Sequence, residues 1–322
     1  MSNLLARYAD AIFWLARYVE RAEDVARILD VNETFSRDSR GDQNWRSVLQ
    51  IYADLPRFHE THEEATADAV IHFYTLDASN PTSIVADIAQ ARSNARMLRP
   101  LISTEMWTQL NIFHNRLRQM SPRDVSEPRL SRFCEFVKQG CQAHTGITEG
   151  TFYRDEGWHF YRLGRAIERA DQTTRLLDVK YHLLLPSVEH VGSPLDVSQW
   201  NALLRSAAAY HAFRRLHPSD MTPANVVGFL ILHRAFPRSI AANVDAIETN
   251  IAQMRDRYEL AGGSAALERI RGVRRSLDSE TSSNIIRQGL HEYLDALQQE
   301  LIAVSHELGT AFFGHAPLRT AA

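Results

Sequence analysis

An all-α fold is the class this sequence predicts, and three observations carry the prediction. Glycine and proline are few, 14 and 11 in 322 residues, whereas alanine (38) and leucine (33) are plentiful. A sandwich or barrel would need many more turns. Apolar residues recur at the helical period along almost the whole chain, and no two alternating runs meet at a hairpin dipeptide. The chain is long enough to bury a core without disulfides or metals. Its 44% apolar and 23% charged residues exclude a disordered or membrane-spanning chain. A net charge of −3, from 36 basic and 39 acidic residues, gives no nucleic-acid footprint. All but Lys138 and Lys180 of the basic residues are arginine, whose planar fork suits carboxylates and phosphates.

The first helix is expected from about Leu4 to Val31. Apolar residues from Ile12 to Leu29 fill one broad face of it, and Arg17, Glu20, Arg21, Asp24 and Arg27 form a charged stripe opposite, interrupted only by Ile28. A loop over Arg37–Asn44 precedes a helix from about Trp45 to Asp54, stopped near Pro56, and a polar helix over Phe58–Leu76. Asn80–Pro81 reads as an N-cap followed by proline at the first helical position. Helices over Thr104–Met120, Pro128–Phe152 and Trp158–Leu185 follow. Pro186–Pro194 is the best linker candidate, after which Asp196 and Gln199 resemble a capping box. Thr222–Pro223 repeats the cap-then-proline pattern before stretches over Ser239–Leu260, Ala265–Leu277 and Gly289–Phe313.

The chain also reads as a duplication. Leu15–Val31 aligns without gaps on Leu163–Val179, with nine of 17 positions identical. Weaker blocks follow in the same order: Trp45, Leu49 and Ala53 on Trp200, Leu204 and Ala208, then Phe73–Ile84 on Phe229–Ile240. A marginal fourth pairs Leu130, Phe133 and Phe152 with Leu290, Tyr293 and Phe312. The expected architecture is therefore one domain over residues 1–322, a duplicated helical bundle whose halves, 1–152 and 157–322, pack about a pseudo-twofold axis.

The candidate site follows from what the two copies share. A solvated helix face tolerates almost any polar residue, yet Arg17/Arg165, Glu20/Glu168, Arg21/Arg169 and Arg27/Arg175 are identical pairs, and only Asp24/Gln172 differs. Weak pairing along a solvated helix is one account. A buried ion-pair network between the two helices is a stronger one, because losing one partner of such a network is costly. Converging guanidiniums steadied by glutamates, an anion site, is the third, and it is compatible with the second. Trp14 and Arg162 lie beside the stripe in a setting rich in aromatics, with Phe13, Tyr18, Trp158 and Tyr161.

Other chemistry has little support. Cys134 and Cys141, seven apart on one helix, stand about 10 Å from each other, too far for a disulfide. Glu156 and His159 form one Glu-x-x-His pair where a di-iron bundle needs two. His59, His62 and Glu63 could meet a metal on one helical turn, although a polar exposed face explains them better. The expectation is no metal and no cofactor. No G-x-S-x-G, Walker, G-x-G-x-x-G or H-E-x-x-H motif occurs. Arg7 and Asp10 inside the first apolar run argue against a signal peptide, and no uncharged run approaches a membrane span, so a cytoplasmic location without membrane contact is expected.

Four segments, WLARYVERAEDVAR, EGWHFYRLGRAIERAD, NPTSIVADIAQARSNARMLRPLISTEMWTQLN and FLILHRAFPRSI, resemble the Alpha-E family, a bacterial all-helical family named for its Glu-Arg motif. The resemblance covers essentially the whole chain, and Ala16 where the second copy has Gly164 is a minor departure. It implies no established reaction. It places the motif at Glu20–Arg21 and Glu168–Arg169, and it implies gene neighbourhoods with a circularly permuted ATP-grasp ligase, a transglutaminase-like protein and sometimes a proteasome-like peptidase. The implied role is in making or attaching a peptide-like product through amide bonds, with the chain as accessory partner of the ligase or binder of an acidic peptide-like or phosphate ligand. The alternatives are an enzyme of that pathway using Glu20 and Glu168 as acid/base groups, or a purely structural scaffold.

Overall fold

The computed structural model describes residues 4–38, 45–183, 194–219, 221–260 and 262–316. Every regular element among them is helical. The first helix, α1 (Ala6–Asp38), runs past Val31 and absorbs Arg37, which the sequence places in a loop. After it come α2 (Arg46–Ile51), α3 (Leu55–His59), α4 (Ala67–Thr75), α5 (Ile84–Met97), α6 (Thr104–Leu117) and α7 (Leu130–Thr151). The rest of the chain forms α8 (Glu156–Leu183), α9 (Pro194–Ser206), α10 (Tyr210–Leu216), α11 (Pro223–Leu232), α12 (Ile240–Tyr258), α13 (Ser264–Ser279), α14 (Ser282–Gln288) and α15 (Leu290–Leu308). A five-residue π-turn, Gly309–Phe313, closes α15.

Helices α1 and α8 are the axis of the molecule and pack most extensively on each other. Around α1 lie α5 and α7, joined through α6; around α8 lie α12 and α15, joined through α13. The short helices cross over, α2 onto α8 and α9 onto α1. This placement explains why α1 is buried on its charged face as well as its apolar one. Ile28, which interrupts the stripe, is 1% exposed, and Glu20, Glu23, Asp24 and Arg27 are buried beside it.

Several local expectations are corrected. The helix beginning at Trp45 ends at Ile51, because Ala53 turns left-handed (φ 54°) and the Asp54 N–H donates back to the Leu49 carbonyl at 2.8 Å. Pro56 opens α3 and does not stop a helix. The polar helix over Phe58–Leu76 is two helices, α3 and α4, with Thr66 capping the second. Asn80 does not cap α5: its amide donates to the Phe73 carbonyl and its oxygen accepts from the Thr82 N–H. Ser83 is the cap, accepting from the Ala86 N–H at 3.2 Å. Asp196 lies in the first turn of α9, which starts at Pro194, so the capping box is displaced. Thr222 does cap α11, and Ser239 caps α12. Most of the linker candidate, 186–193, lies outside the described residues, as do 184–185 at the end of the expected helix before it and 39–44 of the expected loop.

Candidate functional site

The close approach of α1 and α8 depends on Gly164. A Cβ built there would stand 2.2 Å from the Phe13 carbonyl oxygen and 3.3 Å from the Ala16 Cβ. The two helices therefore approach backbone to backbone at Gly164, which brings the Glu-Arg motifs into each other's reach. Gly164 is more than the minor departure it looks like beside Ala16.

At the crossing the pairs are exchanged. Glu168, fully buried, accepts from Arg17 Nε at 2.6 Å, from Arg21 Nε at 2.6 Å and Nη2 at 3.1 Å, and from Gln172 at 3.1 Å. Glu20 accepts both arms of Arg169 at 2.7 and 2.8 Å, and Arg238 Nη1 at 3.1 Å. Arg238 also reaches Asp24 at 2.9 Å and Glu23 at 2.5 Å. Arg27 bonds Glu23 beside it and the Ser206 carbonyl, and Arg175 bonds Asp171 beside it and the Ile51 carbonyl at 2.7 Å. Arg165 turns instead to Glu149 at 2.8 Å. Trp14 lies beneath Arg17, with the guanidinium 4.7 Å from its ring centroid. Arg162 lies over Trp158, apart from these pairs.

The electrostatics follow from burial and pairing. Burial raises the Glu20 carboxyl, but Arg169 and Arg238 more than offset it and hold it at about 2. Glu168 is likewise raised by burial and pulled below the usual carboxylate range by Arg21 and Arg17. Both are thus ionised at neutral pH, as ion-paired groups and not as proton shuttles. Asp24 goes the other way, to about 8, because its burial outweighs an Arg238 shared with Glu20 and Glu23. Burial also drives Asp87 well above its ordinary value, with Arg21 only a partial offset. Neither Asp87 oxygen has a hydrogen-bond partner, and Arg21 Nη1 stands 4.0 Å away.

The two glutamates differ in what lies over them. Above Glu168 is a cleft of about 240 Å³ lined by Arg17, Arg21, Arg175, Tyr52 and Thr82, with an apolar wall from α8 and α15. Tyr52 donates to Gln172 at 3.0 Å, and Thr82 to Asp54 at 2.9 Å. On the Glu20 side the position aligned with Thr82 is Arg238, whose guanidinium lies on Glu20. Sequence reasoning missed Arg238, Tyr52 and Thr82; the Arg238/Thr82 mismatch inside an aligned block was the available signal.

The histidine readings are not assembled. The α3 helix ends at His59, so His59, His62 and Glu63 do not share a helical turn, and the His62 ring stacks on Phe58. The His159 ring pairs with Asn250 at 3.0 Å. Among the described residues no three His, Cys, Asp or Glu side chains are grouped to hold a metal ion. Cys134 and Cys141 are buried free thiols. No helix among the described residues is long and apolar enough to cross a membrane.

A family model, Alpha-E, described as a predicted alpha-helical domain with a conserved ER motif, matches residues 4–313. An uncharacterized protein of Mycobacterium bovis and two of Mycobacterium tuberculosis are each 23% identical to the chain over 275 residues. The match covers 77% of the chain and 30% of each relative, so the chain spans less than a third of their length. No solved structure matches.

Proposed function

The chain belongs to the Alpha-E family, and we propose that it acts as an accessory binding partner of an ATP-grasp-type amide ligase, with a transglutaminase-like protein as a further partner. In this reading it holds an acidic peptide-like or phosphate-bearing ligand in the cleft over Glu168. The observation that carries it is a hydrogen-bond imbalance. Glu168 already accepts four bonds, which fills a carboxylate. Arg17 lines the cleft with a terminal nitrogen, Nη2, that no described hydrogen bond uses, so the cleft has a donor to spare, while Arg21 Nη1 stands 4.0 Å from Asp87. Ion pairing of Glu20 and Glu168 favours this binding role over acid/base catalysis by either.

The test is to co-purify the chain with the ligase and to assay amide product with and without it. Product formation that rises with the chain and falls with Arg17→Lys supports the role, whereas equal product in all three overturns it. Phosphate or an acidic peptide should also raise the melting temperature of wild type more than that of Arg17→Lys.

The domain reading belongs with this proposal: a single domain of two repeat halves, 1–152 and 157–322. The exchanged contacts of α2 and α9 support it, as do the matched carbonyl contacts of Arg27 and Arg175. Ala53 and Ala208, aligned in the sequence, both adopt φ 54°. The aligned pairs Phe58–His62 and Phe213–His217 both stack, at 4.6 and 4.8 Å.

A further inference from the structure

The cleft over Glu168 has two unlike walls, and that contrast bears on its ligand. One wall carries Arg17 and Arg21, of which Arg17 has a terminal nitrogen, Nη2, that no described hydrogen bond uses. The other carries Ile167, Leu301 and Ile302. Ile302 is 61% exposed, one of the most exposed large apolar side chains described, although it stands beside a strongly charged site. A bare phosphate or a side-chain carboxylate on a polar chain would use the first wall and leave Ile302 wet.

Size narrows the ligand further. Pockets that enclose a whole small molecule are roughly 300–1,000 Å³. At about 240 Å³ this cleft takes one end of a ligand, not all of it. We propose, resting on the cleft reading above, that it receives the free C-terminal carboxylate of a peptide whose last side chain is aliphatic. The carboxylate meets Arg17 on the arginine wall, while the terminal side chain covers Ile302, since Ile167 and Leu301 are already buried. One such end binds per chain. Thr82 is short enough to leave the space open, whereas on the Glu20 side the aligned Arg238 is already bonded to Glu20, Glu23 and Asp24.

The test is calorimetric titration of the full chain with N-acetyl-leucine, N-acetyl-glycine, N-acetyl-leucinamide and inorganic phosphate. N-acetyl-leucine should bind at one per chain and about tenfold more tightly than N-acetyl-glycine, the scale of partial burial of a leucine side chain. The amide, which lacks the charge, should bind weakest. Ile302→Ser, an exposed change that leaves the fold intact, should erase the leucine preference but keep carboxylate binding. Equal binding of N-acetyl-leucine and N-acetyl-glycine, or of acid and amide, overturns the proposal. If phosphate or an acidic peptide still binds in an Arg17-dependent way without any leucine preference, the cleft reading stands and this one falls. If no anion gives Arg17-dependent heat, both fall.

Discussion

Two buried carboxyls a single helical turn apart, Glu20 and Asp24, titrate in opposite directions, and each makes a separate pH prediction. Glu20 is held at about 2 against an ordinary 4.5, so its contribution to stability is complete above pH 4.5 and is lost as pH falls toward 2. Asp24, raised from 3.8 to about 8, keeps its proton when folded and loses it when unfolded. Its contribution is therefore complete below pH 3.8 and declines as pH rises to about 8. The urea midpoint should fall between pH 5 and pH 8 in wild type, and Asp24→Asn should flatten that decline. The same slope in both proteins would assign the decline elsewhere. Glu168→Ala is the harsher change. It strands Arg17 and Arg21 beside each other in the interior and should cost about 3–5 kcal/mol in urea unfolding. At this scale the sequence was informative about the shared charges, since Arg17, Glu20, Arg21, Glu168 and Arg169 do meet. It was silent on which arginine serves which glutamate. Arg165 goes to Glu149 and Arg238 arrives from the turn just before α12, because chain packing and not periodicity selects partners across helices.

At the scale of elements, Gly164 separates local preference from packing. On propensity alone, Gly164→Ala in mid-helix gains about 0.8–1.0 kcal/mol. The added methyl would stand 2.2 Å from the Phe13 carbonyl, a backbone atom that moves only if α1 moves. Overpacking of this kind costs about 1–3 kcal/mol. We expect net destabilisation, read as a lower urea midpoint; an increase would mean that the helix crossing tolerates a wider spacing. The same competition explains which elements were legible. The long periodic helices α6, α7, α8, α12, α13 and α15 fall close to their expected spans, because a buried face repeats several times along each. The seven-residue helices α10 and α14 went unread, since two turns hold too few repeats to show a period. Caps were misplaced where a polar side chain had another use. Asn80 is spent on the Phe73 carbonyl, which leaves the capping of α5 to Ser83.

At the scale of the molecule, the ion pairs decide how divisible the chain is. Both arginines on Glu168 come from α1, and both arginines on Glu20 come from beyond residue 157. Neither proposed half contains the arginine partners of its own motif glutamate. A fragment ending at residue 152 would leave Glu20 without Arg169 or Arg238, and so without the ion pairs that hold it in the folded chain. It would also leave uncovered the apolar face of α1 that packs on α8. The division falls beside the exposed Tyr153 (77%), and omitting 153–156 also removes Asp155, which accepts from the Gly157 N–H, and the buried Glu156 that opens α8. Fragments 1–152 and 157–322 made separately should therefore lack a cooperative thermal transition, and co-expressed they should purify together and melt as one. Glu20→Ala in the first fragment should weaken that reassociation. A sharp melt from 1–152 alone would mean that each half is satisfied internally, and the exchanged ion pairs would then be a consequence of the fold and not a condition for it.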